Sequence, residues 1–282
     1  MKLKYLIIAL SFTAVITLLL TVLLPILLLG PGTDIGLSVA LAINSRYVII
    51  PLLVLMVLFL GSMGIFFFFN YRLFSLLERE DWPALAYYLE QKIYVKGKYS
   101  SRNVRLLASS YLVTSDYQSV LKLEGKVQLN KPSLIVPNVL IFGAARVLSG
   151  KNGEAADFFK MHLEKSKLNA GTEQWVHWFY GFSQLLSGAY NDAKPEFMSL
   201  AASSNNALIT GLSAYFLHSS VSKYSGNTDE CLAAAANGKE RVVSALKNAG
   251  NWKKEADKLS TDIHVAIIIK YINGAGTWLF SG

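Results

Sequence analysis

Histidine and cysteine are the side chains of this 282-residue chain with the widest chemical range, since imidazole ligates metals and moves protons near neutral pH and a thiolate is both nucleophile and ligand. His162, His177, His218 and His264 fall in four separate predicted helices, and none has a second ligand three or four residues further on. That spacing is what a helix needs to offer two ligands to one metal. Cys231 is alone, which excludes an internal disulfide and a thiolate metal cage. It stands where a packed helix wants a small residue, so packing is its expected role. The chain has no glycine-rich phosphate loop and no Gly-x-Ser-x-Gly elbow. No catalytic residue, metal ligand or cofactor is therefore expected, and the chain is read as a binding protein rather than an enzyme.

The elements that position the remaining side chains begin with two long apolar runs. Residues 5–33 and 47–71 contain no Asp, Glu, Lys or Arg. Each is long enough for a bilayer crossing, which takes about 20 residues. The predicted spans are about 5–29 and 48–70, with residues 1–71 forming a transmembrane hairpin and residues 30–46 lying along the interface. Pro25 and Pro51 mark the facing helix ends. The first apolar run exceeds a signal h-region and no small-x-small cleavage site follows it, so it is expected to remain as an anchor. Lys2, Lys4, Arg72 and Arg79 flank the hairpin, against Arg46 alone between the spans. The positive-inside rule then places both termini and everything after the hairpin in the cytoplasm, in a bacterial inner membrane. The chain is 52% apolar and 16% charged, and its net charge of +8 is spread among acids such as Glu78, Glu80 and Asp81. That pattern lacks the concentrated basic stripe of a nucleic-acid binder.

After the hairpin the sequence carries a weak internal period. Counting Ser101 as position 1, Leu107 and Ala108 occupy positions 7 and 8, Tyr111 position 11, Ser115 to Tyr117 a turn, and Pro132 position 32. A small residue at 8 with an aromatic at 24 recurs as Gly143 with Phe159 and Gly181 with Phe197. Gly150, Gly188 and Gly226 mark the turns, and Glu80 to Trp82 marks the turn of a degenerate first unit. These features resemble the tetratricopeptide repeat (TPR), a helix-turn-helix unit of 34 residues. Unit starts near 66, 101, 136, 174 and 212 are 35, 35, 38 and 38 residues apart. The resemblance implies an all-α fold: two N-terminal transmembrane helices, TPR-like α-hairpins stacked as a solenoid over residues 72–240, and C-terminal capping helices over 241–282. The layout is similar to that of HemY-type bacterial inner-membrane proteins, which share a two-span N-terminus before such repeats.

In TPR proteins the first helix of each hairpin lines the binding groove. Carried onto this sequence, those positions give a partner-binding groove with Arg102 and Arg105 at one end and Trp175, Trp178, Phe182 and Phe216 in its middle. The same aromatics at helical spacing also fit a buried core, and the apolar C-terminal helix is a candidate to fill the groove from within the chain. The expected function is a non-enzymatic, membrane-anchored scaffold or adaptor that binds a partner protein, with the bilayer as its other partner and with no nucleic acid and no small-molecule substrate. The alternative is a structural subunit of a membrane protein complex or an envelope-assembly factor.

Overall fold

The computed structural model describes residues 35–259 and 262–281, and among them every regular element is helical. The expected first span, 5–29, lies outside the described residues. The chain divides into two compact units, Met1–Leu85 and Ala86–Gly282, with α2 (Trp82–Glu90) crossing the boundary.

In the first unit, α1 (Ile35–Glu78) is a single 44-residue helix. Its segment Met56–Glu78 is long and apolar enough to cross a membrane, and it exposes Val57, Leu58, Phe68 and Phe69. Two expectations change here. Residues 35–46, read as an interfacial connector, are the start of the same helix, because Leu37 to Ile43 continue its apolar character without a stop signal. Pro51, read as a helix start, lies inside α1, where it removes one backbone hydrogen bond without ending the helix.

The second unit is a succession of helix pairs. After α2 and a π-helical turn (Gln91–Val95) come α3 (Ser101–Val113) and α4 (Tyr117–Asn130), α5 (Val139–Leu148) and α6 (Asn152–Lys165), and α7 (Ala170–Leu186) and α8 (Tyr190–Ser203). These are followed by α9 (Ala207–Phe216), continued by a π turn (Leu217–Val221), and α10 (Thr228–Leu246). The members of each pair pack together, and the first helix of each pair also touches the first helix of the next. A C-terminal segment of α11 (Ala249–Leu259), a short turn (Ile263–Ala266) and α12 (Ile269–Phe280) completes the unit.

Local chemistry sets the helix ends. Ser100, Asp116, Asn169 and Asn206 each accept a hydrogen bond from a backbone N–H in the following first turn. These are the residue types that satisfy the orphan donors of a helix start. Left-handed backbone occurs at Glu80, between α1 and α2, and at the turns of the four pairs, Ser115, Gly150, Gly188 and Gly226, at the same spacing of 35, 35, 38 and 38 residues as the sequence period. At the last three, glycine removes the steric cost of positive φ. Side-chain donors close other ends: Arg241 of α10 donates to the carbonyls of Ala201 and Ser204, at 2.5 and 3.0 Å, at the end of α8. Between α4 and α5, Arg146 makes a forked pair with Glu124 (2.6 and 3.1 Å) and lies 4.2 Å from the centre of the Phe158 ring.

The small residues at position 8 have a steric reason. A Cβ on Gly143 would fall 2.0 Å from Phe159 Cζ, and one on Gly181 3.4 Å from Phe197 Cε1. At Gly143 the second helix thus presses a phenyl ring against bare backbone of its partner helix, while at Gly181 the tighter neighbour is Glu196 Cβ at 3.1 Å. Gly143→Ala is expected to destabilise the full-length protein by about 1–3 kcal/mol, the cost of overpacking, in denaturant unfolding in mild detergent. Pairing it with Phe159→Leu should recover part of that loss.

Candidate functional site

Groove and core share the same helices. The faces of α5, α7 and α9 that the repeat pattern assigns to a groove carry the unit's main aromatic cluster. Trp178 stacks on Phe182 at 4.9 Å and meets Phe179 at 5.1 Å, Trp175 and Phe216 at 6.0 Å, and Phe197 at 6.4 Å. Trp175, Trp178, Phe182 and Phe216 retain only 6%, 0%, 2% and 3% of their surface. The C-terminal segment lies against this face: Tyr271 of α12 is 5.3 Å from both Phe182 and Phe216, and His264 is 5.5 Å from Trp175. Trp178, Phe182 and Phe216 therefore line no open groove; the chain's own C-terminus covers them.

This cover is locked in place by close packing. A Cβ on Gly211 of α9 would come within 2.6 Å of the Trp252 indole and 3.0 Å of Leu279, and one on Gly276 of α12 would come within 2.6 Å of the same indole. Trp252 Nε1 also donates to the Ile272 carbonyl at 3.0 Å. The α11–α12 segment belongs to the core of the unit.

A cavity of about 410 Å³ opens at one end of the covered face. Its walls come from α3 (Arg105, Ser109), the turn before α5 (Pro137, Asn138), the start of α7 (Asn169, Thr172, Trp175) and the C-terminal segment (Asp262, His264). Of the six groove residues read from the sequence, the structure brings two, Arg105 and Trp175, into this cavity. Arg102 is exposed on α3 outside its lining. Sequence reasoning missed Asn138, Asn169, Asn206, Asp262 and His264. The asparagines carry a legible signal, since each directly precedes a helix.

Arg105 Nη2 donates to the Pro137 carbonyl at 3.2 Å, and no carboxylate among the described residues forms an ion pair with it. Asn138, 2% exposed, donates its amide to the Leu134 carbonyl at 2.8 Å, while its Oδ1 is buried with no partner. Burial pushes His264 down to about 4; Asp262 opposes this and Arg105 adds to it. The other histidines have packing partners of their own. His162 faces Phe158 and hydrogen-bonds Ser166, His177 pairs with Glu196 at 2.8 Å, and His218 stacks on Trp278. Among the described residues, no group of three His, Cys, Asp or Glu is placed to hold a metal ion. Cys231 is buried beside Ser225.

A family model described as "Uncharacterised Treponema protein" matches residues 119–281, from α4 through the C-terminal segment. An "Uncharacterized protein" of Treponema pallidum (strain Nichols) is 26% identical over 218 residues, which covers 75% of this chain and 69% of the relative. No solved structure matches the chain.

The lowered His264 value fixes the sign of a pH effect. The unfolded chain takes up a proton near pH 6.5 and the folded one only near 4, so this group's contribution to stability is complete above 6.5 and lost as pH falls toward 4. His264→Phe should flatten that part of the stability profile, measured by denaturant unfolding at pH 7 and pH 4.5. His177, raised mainly by its hydrogen bond to Glu196, acts with the opposite sign and is unaffected by the substitution.

Proposed function

This chain belongs to the family described as an uncharacterised Treponema protein, and from that footing we propose that it is a non-enzymatic, membrane-anchored scaffold whose TPR-like α-hairpins bind a partner protein. The observation that carries the reading is the recurrence of the hairpin turn. Left-handed residues at 80, 115, 150, 188 and 226 mark a repeated unit, and first helices pack on first helices from one pair to the next. Stacked hairpins of this kind serve mainly as binding surfaces. Their aromatic inner face already holds a helix, α12 of the same chain, which supports helix recognition as the use of this architecture. With that part covered, the partner contacts the α3 end, where Arg102 and Arg105 are both exposed.

The anchor is a pair of transmembrane helices, about 5–29 and 48–70, in a bacterial inner membrane. Both termini and the hairpin unit are cytoplasmic, and the apolar exposed surface of the Met56–Glu78 segment supports its contact with lipid. A fluorescent reporter fused after Gly282 is expected to be active and a periplasm-dependent phosphatase inactive; the reverse pattern overturns the cytoplasmic reading. For the partner, a photo-crosslinker at Ser109 in intact membranes should give one dominant adduct, lost in an Arg102→Glu, Arg105→Glu variant that keeps the wild-type circular dichroism. An adduct pattern unchanged by the charge reversals removes the α3 end as the binding surface.

A further inference from the structure

The net charge, read from the sequence as spread among acids, is concentrated in one short stretch. Residues 91–115 carry Lys92, Lys96, Lys98, Arg102 and Arg105 and no Asp or Glu, a charge of +5 against +8 for the whole chain. The fold gathers the first four of these cations. Gly97 reverses the chain in left-handed backbone, after which Lys98 N donates to the Lys92 carbonyl at 3.0 Å and Asn103 Nδ2 to the Lys98 carbonyl at 2.9 Å. These bonds pin the loop before α3 back onto the π turn. Burial lowers the Lys92 ammonium below the ordinary lysine range, and Lys98, Arg102 and Lys96 lower it further. Glu90, the acid at the edge of the patch, takes a hydrogen bond from Tyr111. Like charges held together repel one another, and a polyanionic surface relieves that repulsion.

Apolar side chains stand exposed among these cations. Val95, between Tyr94 and Lys96, keeps 71% of its surface, and Leu129 of α4 keeps 85%. Leu129 lines a depression of about 380 Å³ with Tyr94, Lys122 and Lys126. Lys126 Nζ lies 3.6 Å from the centre of the Tyr94 ring, which joins the α4 cations to those of the π turn. A nucleic acid would satisfy the ammonium groups and leave Val95 and Leu129 in water. A bilayer surface satisfies both, with phosphates at the level of the lysines and the edge of the acyl region beneath them. The position in the chain agrees, since Lys92 follows Glu78, the end of the segment able to cross a membrane, by 14 residues. Even fully extended, that is about 50 Å of chain.

We propose that Lys92, Lys96 and Lys98, with Lys122 and Lys126 of α4, form a surface that binds anionic lipid headgroups, with Val95 and Leu129 entering the interface between them. The surface rests on the membrane-anchored reading of the chain and is separate from partner binding. Its occupancy is set by the anionic content of the membrane.

The test uses the full-length protein in lipid nanodiscs, one set of phosphatidylcholine alone and one with about 30% phosphatidylglycerol. Cys231 is buried, so a fluorophore attaches at Val95→Cys and is read against a lipid carrying a nitroxide on its headgroup. A second probe, Phe68→Cys in the Met56–Glu78 segment, reads the anchor against a nitroxide in the acyl chain. The probe at residue 95 is expected to be quenched at least about twofold more strongly in the anionic discs, with the excess lost at about 0.5 M NaCl. Replacing Lys92, Lys96 and Lys98 together by Gln should abolish the excess, and Arg102 and Arg105 stay in place so that the partner surface is untouched. Equal quenching at residue 95 in both discs, with residue 68 quenched, overturns the lipid surface and leaves the anchor standing. An unquenched residue 68 overturns the anchored reading and the proposal with it. A response at residue 95 to a short DNA duplex but not to phosphatidylglycerol reassigns the patch to nucleic acid. An excess retained in the triple variant overturns the proposal as well, by placing the contact elsewhere. The comparison of the two discs and its salt dependence keep every lysine and decide the matter even where the triple variant does not fold.

Discussion

Trp178 is the residue on which the second unit turns. It sits on α7 between the pair that precedes it and the pair that follows, with no exposed surface and with aromatic rings from α7, α8 and α9 on its sides. Rings at these separations add to ordinary area burial, and an indole buries more surface than any other side chain available for the position. Its Nε1 has no hydrogen-bond partner, at a cost of about 1–3 kcal/mol. The surrounding phenyl rings offset that cost, and the result is a cluster that fixes how three successive helices meet. The C-terminal helix is drawn onto it because Tyr271 completes the aromatic contacts at Phe182 and Phe216.

That one constraint governs what the molecule offers to others. An aromatic stripe left exposed would mark a binding surface, and here it is consumed internally. Gly211 and Gly276 leave room for Trp252, so α11 and α12 seat closely against α9 rather than resting loosely over it. The cover ends short of α3. The cavity lined by Arg105, Asn138, Trp175 and His264 is the space left where the C-terminal segment stops following the row of first helices. Its polarity follows from its position, because it lies at the starts of α7 and α9, where capping asparagines and helix N-termini collect.

Much of the fold was legible in local signals. Turn residues at 80, 115, 150, 188 and 226 need left-handed backbone, and their spacing survives folding because hairpin geometry is set within one pair. Gly143 announced close contact with Phe159 because only a missing side chain admits a ring so near the backbone. The run from Ile35 to Arg46 was misread for the opposite reason. Its apolar residues fit an interfacial segment and a continuing helix equally well, and no capping residue decides between them. Arg105 and Trp175 had been named as groove positions of the expected repeats, whereas Asp262 and His264 had not, because they reach the cavity from a segment beyond the stretch read as repeats.

The amino-acid sequence by itself determined the helical class and one apolar segment long enough to cross a membrane. Each of these depends on neighbours within one or two turns of chain. Only the tertiary structure decided whether the aromatic face of α5, α7 and α9 stays open. That depends on whether a segment some 90 residues downstream of Trp178 buries more surface on the face than it would elsewhere, a competition between distant parts of the chain. It also decided that Arg105 and Asp262, 157 positions apart, share one cavity without touching.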